Sequence, residues 1–425
     1  MVLPEEFIRY TKVLFGEERF TRYLAAFDEE PPVSIRLNPS ALHPSLSALH
    51  PSPSTLRPVP STLHPVPWCR NAYYLYNRPV FTFDPLFHAG CYYVQEASSM
   101  FLDTVLQQYL PVHPVMMLDM CAAPGGKSTL ARSVLPEGSV LFSNEPVRQR
   151  ANILLENMTK WGYPDCYVTN SYPKDYRKSR LKFDVILCDV PCSGEGMFRK
   201  DPATIGEWSP QNVERCWQLQ RDIVSDAWDC LSDGGILIYS TCTFNTKENE
   251  ENVRWMLDTF DAQVLPVQTQ AEWGITGSLL TGFTEPVYRF IPGIIRGEGL
   301  FMCVLKKGGS KPAVSLRQAP SFLTANSRFP YGKLPVSLLE APPLYVDGPC
   351  VELTYRQAIA YLRREALVLP ADTPRGLVQV TFQGHPLGLV KNIGSRANNL
   401  YPKEWAIRTT HVPQDYTPII WNDCQ

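Results

Sequence analysis

The sequence predicts an α/β fold built on a mostly parallel, doubly wound sheet. Between residues 111 and 308, short apolar runs alternate with helical stretches of about ten residues or more, which is the pattern of strands joined by crossover helices. The apolar runs are continuous, which indicates strands covered on both faces. Turns rich in glycine or proline follow two of these runs, and open α/β sheets bind their ligands at such carboxyl ends.

The strands and helices are predicted in chain order. The first strand is VMMLD at 115–119, and a helix follows from about Lys127. Further strand patterns are SVLFSNE (139–145), CYVT (166–169), FDVILCD (183–189) and GGILIYST (234–241). GEGLFMCVLKK (297–307) predicts a closing pair of strands. Helical patterns lie between these strands at 148–162, 213–231 and 247–260.

Two smaller regions flank this core, so domains are predicted at 1–110, 111–308 and 309–425. Residues 4–27 space their apolar side chains as a helix does, and PPVSIRLNP (31–39) predicts an extended segment. The N-terminal region is therefore expected to be small and α+β. The C-terminal region holds 12 lysines and arginines against 8 acids, whereas the whole chain has a net charge of −2. A basic appendix of this kind favours contact with nucleic acid.

Residues 40–67 differ in composition from the rest of the chain. They form four copies of a seven-residue unit, SALHPSL, SALHPSP, STLRPVP and STLHPVP. Proline at this density removes backbone donors and blocks both helix and central strand, so we predict a disordered or polyproline-like insertion. The repeats contain histidine, but no cysteine or carboxylate is interleaved, which favours a solvated surface loop over a metal site.

Composition argues against several classes of protein. The 44% hydrophobic and 19% charged content is typical of a folded soluble protein, and no apolar run is long enough to span a membrane. Acids and bases interrupt the first 20 residues, unlike a signal peptide. The 12 cysteines include no C-x-x-C pair, so neither a zinc site nor a disulfide scaffold is indicated. Reduced thiols in the cytoplasm fit this pattern best.

A glycine-rich loop, LDMCAAPGGKST (118–129), follows the first strand and opens a helix. Its second half matches a P-loop, in which G-x-x-x-x-G-K-[ST] wraps the phosphates of a nucleoside triphosphate. However, Cys121 occupies the position of the first glycine, where a β-carbon obstructs that wrap. The alternative is a nucleoside cofactor, whose ribose needs an acid at the end of the second strand. Glu145 ends that strand, which favours the cofactor.

Three motifs resemble those of the Nol/Nop/Sun family of RNA (cytosine-5)-methyltransferases, over roughly residues 30 to 310 outside the repeats. DMCAAPGGKST (119–129) is similar to the family's adenosylmethionine loop, CDVPCSGEGMFRKDP (188–202) to its proline-cysteine motif, and YSTCTFNTKENE (239–250) to its threonine-cysteine motif. Residues 78–100 also resemble the segment that precedes the cofactor loop. The C-terminal tail is similar to the PUA-like RNA-binding domain of the bacterial rRNA-modifying branch.

The resemblance implies a Rossmann-like methyltransferase domain followed by a small α+β PUA-like domain. Its cofactor is then S-adenosyl-L-methionine, and no metal is implied. Glu145, Asp189 and Asn170 are expected to contact this cofactor, although relatives often carry an acid at the position of Asn170. The implied loop contacts are Cys121, Ala122, Ala123, Pro124, Gly125, Gly126 and Lys127.

Two cysteines suit the methylation of cytosine. C5 is a poor nucleophile until a thiolate adds to C6, and a proton must leave C5 before the thiol is expelled. Cys192 and Cys242 each follow a strand of the predicted parallel sheet, so both are expected at the same rim. Spacing does not decide which of them attacks. The resemblance assigns Cys242 as the nucleophile and Cys192 to product release.

Other side chains near these motifs have implied roles. Asp189 is expected to hydrogen-bond the cytosine edge and to stabilise a protonated N3. Lys127 is expected to lower a thiol pKa or to hold the ribose-phosphate. Arg199 and Lys200 follow the Gly-Glu-Gly bend and are candidate contacts to RNA phosphate.

The sequence therefore predicts a cytoplasmic, monomeric, adenosylmethionine-dependent enzyme that makes 5-methylcytosine in RNA. Ribosomal RNA, free or in an assembling subunit, is favoured over tRNA. No membrane contact is expected. A P-loop nucleoside triphosphatase is the rival enzyme class. A non-catalytic RNA-binding ribosome-assembly factor is the other rival, and the intact pair Cys192 and Cys242 argues against it.

Overall fold

The computed structural model describes residues 2–42, 64–309, 336–409 and 411–420. Its N-terminal elements are α1 (Glu5–Phe15), α2 (Glu17–Ala25), β1 (Val33–Leu37), α3 (Pro39–Leu42), β2 (His64–Pro65), β3 (Ala72–Leu75), α4 (Pro85–His88), β4 (Tyr92–Val94) and α5 (Leu102–Tyr109). The four strands pair antiparallel in the order β2-β3-β1-β4. The helical pattern at 4–27 forms two helices, because Gly16 between them has a φ of 73°, a conformation that favours glycine.

Both ends of the predicted insertion at 40–67 belong to the fold. Residues 40–42 lie in α3, and β2 pairs with β3. Val66 is buried, so the chain has rejoined the core before residue 67. The prediction of disorder for residues 43–63 falls outside the described part of the chain.

The central domain contains the predicted strands and helices close to their predicted bounds. The elements of this domain are β5 (Met116–Asp119), α6 (Gly126–Val134), β6 (Val140–Asn144), α7 (Arg148–Trp161), β7 (Cys166–Thr169), α8 (Pro173–Ser179), β8 (Phe183–Asp189), α9 (Ala203–Glu207), α10 (Pro210–Cys230), β9 (Leu231–Thr241), α11 (Glu250–Thr259), β10 (Ala262–Val264), β11 (Tyr288–Phe290) and β12 (Leu300–Lys307). Of these, α8, α9, β10 and β11 were not predicted from the sequence. Local signals set the ends of the helices. For example, the Ser209 hydroxyl accepts the Asn212 N–H at 3.1 Å at the start of α10.

The eight strands form one sheet in the order β10-β12-β9-β8-β5-β6-β7, with β11 beside β12. From β9 to β7 all neighbours are parallel, which confirms the predicted doubly wound core. The pattern at 297–307 forms the single strand β12, and the predicted closing pair is wrong, because no turn residue interrupts its eight residues. Its antiparallel partners are β9, β10 and β11.

Helices cover both faces of this sheet. One face packs against α5, α6 and α7, and the other against α8, α10 and α11. The buried contacts include Leu106, Leu130 and Leu154 on the first face and Tyr176, Val224 and Met256 on the second. Each such side chain contributes about 1.5–3 kcal/mol by leaving water. Among the described residues, no helix combines the length and apolar character that crossing a bilayer requires.

A third sheet forms the C-terminal domain. Its elements are β13 (Cys350–Glu352), α12 (Tyr355–Leu362), β14 (Gly376–Phe382), β15 (His385–Asn392) and β16 (Ala397–Asn399), with strand order β13-β14-β15-β16. The domain shares a buried core with the N-terminal sheet, and the Tyr416 hydroxyl donates to Asp84 Oδ1 at 3.1 Å. Leu338, which falls in the predicted C-terminal domain, instead bridges to Thr169 at the edge of the central sheet.

Candidate active site

The two cysteines singled out in the sequence meet at the rim of the central sheet. β8 and β9 are adjacent and parallel, with Asp189 opposite Ser240, and Cys192 and Cys242 lie in the turns that follow them. The two sulfurs are 3.1 Å apart, and the Cys242 backbone N–H donates to Cys192 Sγ at 3.3 Å. Both side chains are partly exposed, so a substrate base can reach them.

The environments of the two sulfurs differ. The pKa of the Cys192 thiol is raised well above its usual value, first because it shares a hydrogen bond with Cys242 and then because the surrounding protein desolvates it. Cys192 is therefore held protonated and can donate its S–H towards Cys242 Sγ. A protonated Cys192 suits the role of a group that supplies a proton.

Lys127 and Asp189 form an ion pair beside the thiols. Lys127 Nζ lies 2.7 Å from Asp189 Oδ2, and the Ser240 hydroxyl donates to Asp189 Oδ1 at 2.6 Å. Burial lowers the pKa of Lys127, but Asp189 and Cys242 outweigh that effect and the net shift is upward. Lys127 is thus a fixed cation near Cys242. The Asp189 side chain remains 31% exposed and can contact a base.

The predicted cofactor loop wraps the start of α6. Gly125 has a φ of 116°, which favours glycine, and an added β-carbon would lie 3.2 Å from the Leu154 side chain. The loop is anchored from outside, because Asn157 Nδ2 donates to the Pro124 carbonyl at 2.8 Å and Arg150 donates to the Ala123 carbonyl at 3.0 Å. The backbone of residues 121–127 is therefore held in a fixed, closely approachable form.

Glu145 and Asn170 lie side by side at the carboxyl ends of β6 and β7. Glu145 is almost fully buried, and its Oε2 lies 3.4 Å from the half-exposed guanidinium of Arg150. The Asn170 side-chain amide donates to the Glu145 and Pro146 carbonyls at 2.8 and 2.9 Å. Asn170 thus supports the backbone that carries Glu145.

These residues fit a nucleoside cofactor better than a triphosphate. Glu145 lies directly after β6, where the ribose of such cofactors needs an acid, and its Oε1 accepts the Val147 backbone N–H at 2.9 Å. A triphosphate needs an available lysine in the loop, yet the charge of Lys127 is already matched by Asp189 at 2.7 Å. The acidic side chains of this site therefore suit a neutral ribose and a cationic group.

Sequence reasoning did not identify several polar residues of the site. Ser240 orients Asp189, and the buried acids Glu195 and Glu248 lie in the turns after the two cysteines. The sequence signal that could have identified these acids is a glutamate within a turn of small residues. The expectation that Arg199 contacts RNA phosphate is wrong, because its side chain is 6% exposed and lies 3.8 Å from Glu298; the neighbouring Lys200 is exposed.

Gly196 allows the two cysteine turns to approach each other. A β-carbon at Gly196 would lie 2.6 Å from Gly299 Cα and 2.9 Å from the Cys242 carbonyl. We expect Gly196→Ala to lower the free energy of unfolding by about 1–3 kcal/mol through overpacking and to reduce activity, as measured by urea unfolding and methyl transfer. Gly206→Ala is the control, since its β-carbon meets nothing within 4 Å. Equal stability of the two variants would contradict this close contact.

Buried acids give stability a distinct pH dependence. Burial raises the pKa of Asp119, Glu248 and Glu298 to about 7. At a pH between the unfolded-state and folded-state pKa values, the folded protein binds more protons than the unfolded protein. The contribution of these acids to the free energy of unfolding is therefore complete in acid and is lost as the pH rises through about 7. We expect the melting temperature to fall between about pH 5 and pH 8, and Glu298→Gln to flatten that fall. The exposed Glu207→Gln should leave the profile unchanged, and a profile that rises over this range would refute the assignment.

Comparison with known proteins places the fold and the site in one family. A family model described as 16S rRNA methyltransferase RsmB/F matches residues 108–306. The N-terminal domain of 16S rRNA methyltransferase RsmF matches 3–97, and the methyltransferase RsmF PUA domain matches 349–407. The ribosomal RNA small subunit methyltransferase F of Escherichia coli O17:K52:H18 is 30% identical over 74% of this chain and 78% of its own. The chain belongs to the RsmB/F family.

Other members and solved structures agree with this assignment. The ribosomal RNA small subunit methyltransferase F of Cronobacter sakazakii is 29% identical over 74% of this chain and 78% of its own. A methyltransferase homolog from Pyrococcus horikoshii is 25% identical with a TM-score of 0.55, covering 72% of this chain and all of that chain. NSun6 from Pyrococcus horikoshii, solved with SFG, shares the fold at 20% identity and a TM-score of 0.57, over 72% of this chain and 98% of that chain. The predicted Rossmann-like domain and the C-terminal PUA domain of this RsmB/F member are confirmed.

Proposed function

We propose that the protein methylates C5 of a cytosine in small-subunit ribosomal RNA, using S-adenosyl-L-methionine. The observation that carries the proposal is the pair Cys192 and Cys242, 3.1 Å apart at the ends of adjacent parallel strands. Two thiols at one rim suit a reaction that needs both a covalent nucleophile and a group for release. The names of the relatives support small-subunit rRNA as the substrate rather than tRNA.

Cys242 is the proposed nucleophile. Its thiolate adds to C6 of the cytosine, which gives C5 the character of an enamine. C5 could then attack the methyl group that the cofactor would supply, and the bond from that methyl group to the sulfonium sulfur would break as the new carbon–carbon bond forms. Lys127 stabilises the thiolate as a fixed cation, and Asp189 hydrogen-bonds the cytosine edge and stabilises the protonated N3 that neutralises the negative charge developing on the ring. A base such as water then takes the C5 proton, the C5–C6 double bond re-forms and the bond from C6 to the Cys242 sulfur breaks, and Cys192 assists by donating its S–H to the departing sulfur. The target base must first leave any stack to reach the rim.

The cofactor supplies an electrophilic methyl group on a sulfonium. We propose that Glu145 binds its ribose and that the loop Cys121 to Lys127 lies along it, with Asp189 facing the reacting end and Asn170 holding the Glu145 backbone. The shared contact of Arg150 with Glu145 Oε2 and with the Ala123 carbonyl, which places Glu145 beside this loop, supports the assignment. The N-terminal and PUA domains are proposed to bind the RNA around the target, in a monomeric cytoplasmic enzyme.

Cofactor binding tests this assignment. We expect the protein to bind adenosylmethionine and not ATP in calorimetric titrations, because Lys127 is already paired. Glu145→Gln should weaken adenosylmethionine binding by about 10- to 100-fold, since a charged acceptor for the ribose contributes about 1.5–3 kcal/mol. Glu137→Gln, an exposed acid before β6, is the control. Tight ATP binding without adenosylmethionine binding would favour the triphosphatase instead.

A further inference from the structure

The turn after Cys242 is held by an acid from the other cysteine motif. Glu195 lies three residues after Cys192 in the chain. Its Oε2 nevertheless accepts the backbone N–H groups of Phe244 and Asn245 at 2.7 and 2.9 Å. These N–H groups belong to the turn that carries Cys242, so the position of one thiol depends on the motif of the other.

The turn after Cys192 is held in turn by an acid from the motif of Cys242. Glu248, from the motif of Cys242, accepts the Ser193 backbone N–H on its Oε2 at 3.0 Å. Gln220 Nε2 donates to the same oxygen at 2.7 Å and to the Pro191 carbonyl at 2.9 Å. The peptide groups on both sides of Cys192 are therefore fixed through Glu248 and its partner Gln220.

A single amide joins the two acids. Asn245 Nδ2 lies 3.1 Å from Glu195 Oε1 and 2.8 Å from Glu248 Oε1. Trp208 Nε1 also donates to Glu195 Oε1 at 3.0 Å. All four carboxylate oxygens thus accept N–H groups, and both acids are almost completely buried. Each turn is therefore held by several connected hydrogen bonds, and a fully satisfied buried network of this kind resists small shifts of either turn.

We propose that Glu195 and Glu248 are positioning residues with separate tasks: Glu195 aligns Cys242 for attack on C6, and Glu248 aligns Cys192 for product release. The inference rests on the proposed function, because it divides the two acids between the two thiols of that reaction. Neither acid touches the substrate, and each acts through the turn whose backbone it holds.

Replacing Glu195 or Glu248 by glutamine tests the role of the carboxylate oxygens as hydrogen-bond acceptors without changing the volume of the side chain. Since both oxygens of each acid accept N–H groups, an amide nitrogen in either place faces a donor and loses at least one bond. The turn then shifts, and misplacement of a reacting group by about 1 Å costs up to about 100-fold in rate. We expect E195Q to slow adduct formation about 10- to 100-fold, and E248Q to leave adduct formation near normal while adduct accumulates because release is slow.

The experiment measures the two steps separately with the full-length protein. Small-subunit rRNA transcribed with 5-fluorocytidine reports attack, because the adduct cannot be released after methylation. The same RNA with ordinary cytidine reports release, through the fraction of protein bound covalently during single-turnover methylation. Glu18→Gln is the matched control, since this exposed acid on α2 pairs with Arg22 and lies outside both cysteine turns. Its two rates should equal those of the unaltered protein.

Milder variants keep the test decisive if glutamine prevents folding. Trp208→Phe removes one donor to Glu195, and Gln220→Met removes the links to Pro191 and Glu248. We expect the first to slow attack and the second to slow release. If variants on both sides slow the two steps equally, the acids only stabilise the fold and the inference is overturned. Absence of any adduct with the unaltered protein would instead overturn the proposed function.

Discussion

Replacing Cys242 by alanine is expected to lower methylation at least about 1000-fold and to abolish any covalent complex with RNA, because the variant lacks the thiolate proposed to add to C6. Cys192 lies only 3.1 Å from Cys242, and the variant removes the hydrogen bond that contributes most to its raised pKa, but desolvation by the surrounding protein still raises that pKa and makes Cys192 a poor substitute. Methyl transfer from labelled adenosylmethionine and denaturing gels of the RNA complex measure the two effects.

For Cys192→Ala we expect the covalent complex with RNA to accumulate rather than to disappear. Attack by Cys242 continues, while loss of the releasing group traps the protein on its RNA. Cys350→Ala is the control, since this cysteine is exposed in the C-terminal domain and should leave both measurements unchanged. An adduct that persists in Cys242→Ala and disappears in Cys192→Ala would exchange the two roles.

Replacing Asp189 by asparagine is expected to reduce turnover by about 100- to 1000-fold, the usual cost of removing one preorganised group at a site of developing charge. The change also leaves the buried Lys127 without its 2.7 Å partner. Turnover should fall more than RNA binding, because Asp189 acts on the ring as it becomes charged. Steady-state kinetics with the RNA separate the two effects.

Asp184 offers a matched control on the same strand. It lies at the amino end of β8, where Oδ2 accepts the Met116 backbone N–H at 2.9 Å. Asp184→Asn should alter stability but preserve turnover. Full activity of Asp189→Asn would remove Asp189 from the mechanism.

The sequence predicted the meeting of the two cysteines for a simple physical reason. Strands β8 and β9 are continuous apolar runs in a parallel sheet, so the residues after them lie at one rim. The position of Lys127 beside Asp189 follows from the same topology, since β5 and β8 are also neighbours. Periodicity and topology were therefore enough to predict that the two cysteines meet at one rim of the sheet.

Periodicity and topology could not predict the features that depend on contacts between loops. Nothing in the order of residues indicates that Glu195 holds the turn of Cys242, because the contact exists only once both turns are folded. The burial of Arg199 against Glu298 is missed for the same reason, since a basic residue after a bend is usually solvated. The side-chain amide of Asn170 likewise has a structural task that spacing does not reveal.

The central claim is transfer of a methyl group to C5 of cytosine in ribosomal RNA. Small-subunit RNA from a strain that lacks this protein, incubated with the purified protein and adenosylmethionine, tests it directly by bisulfite sequencing. We expect specific cytosines to become protected from conversion, and no protection with the Cys242→Ala protein. Methyl transfer without protection of any cytosine, or no transfer at all, would contradict the claim.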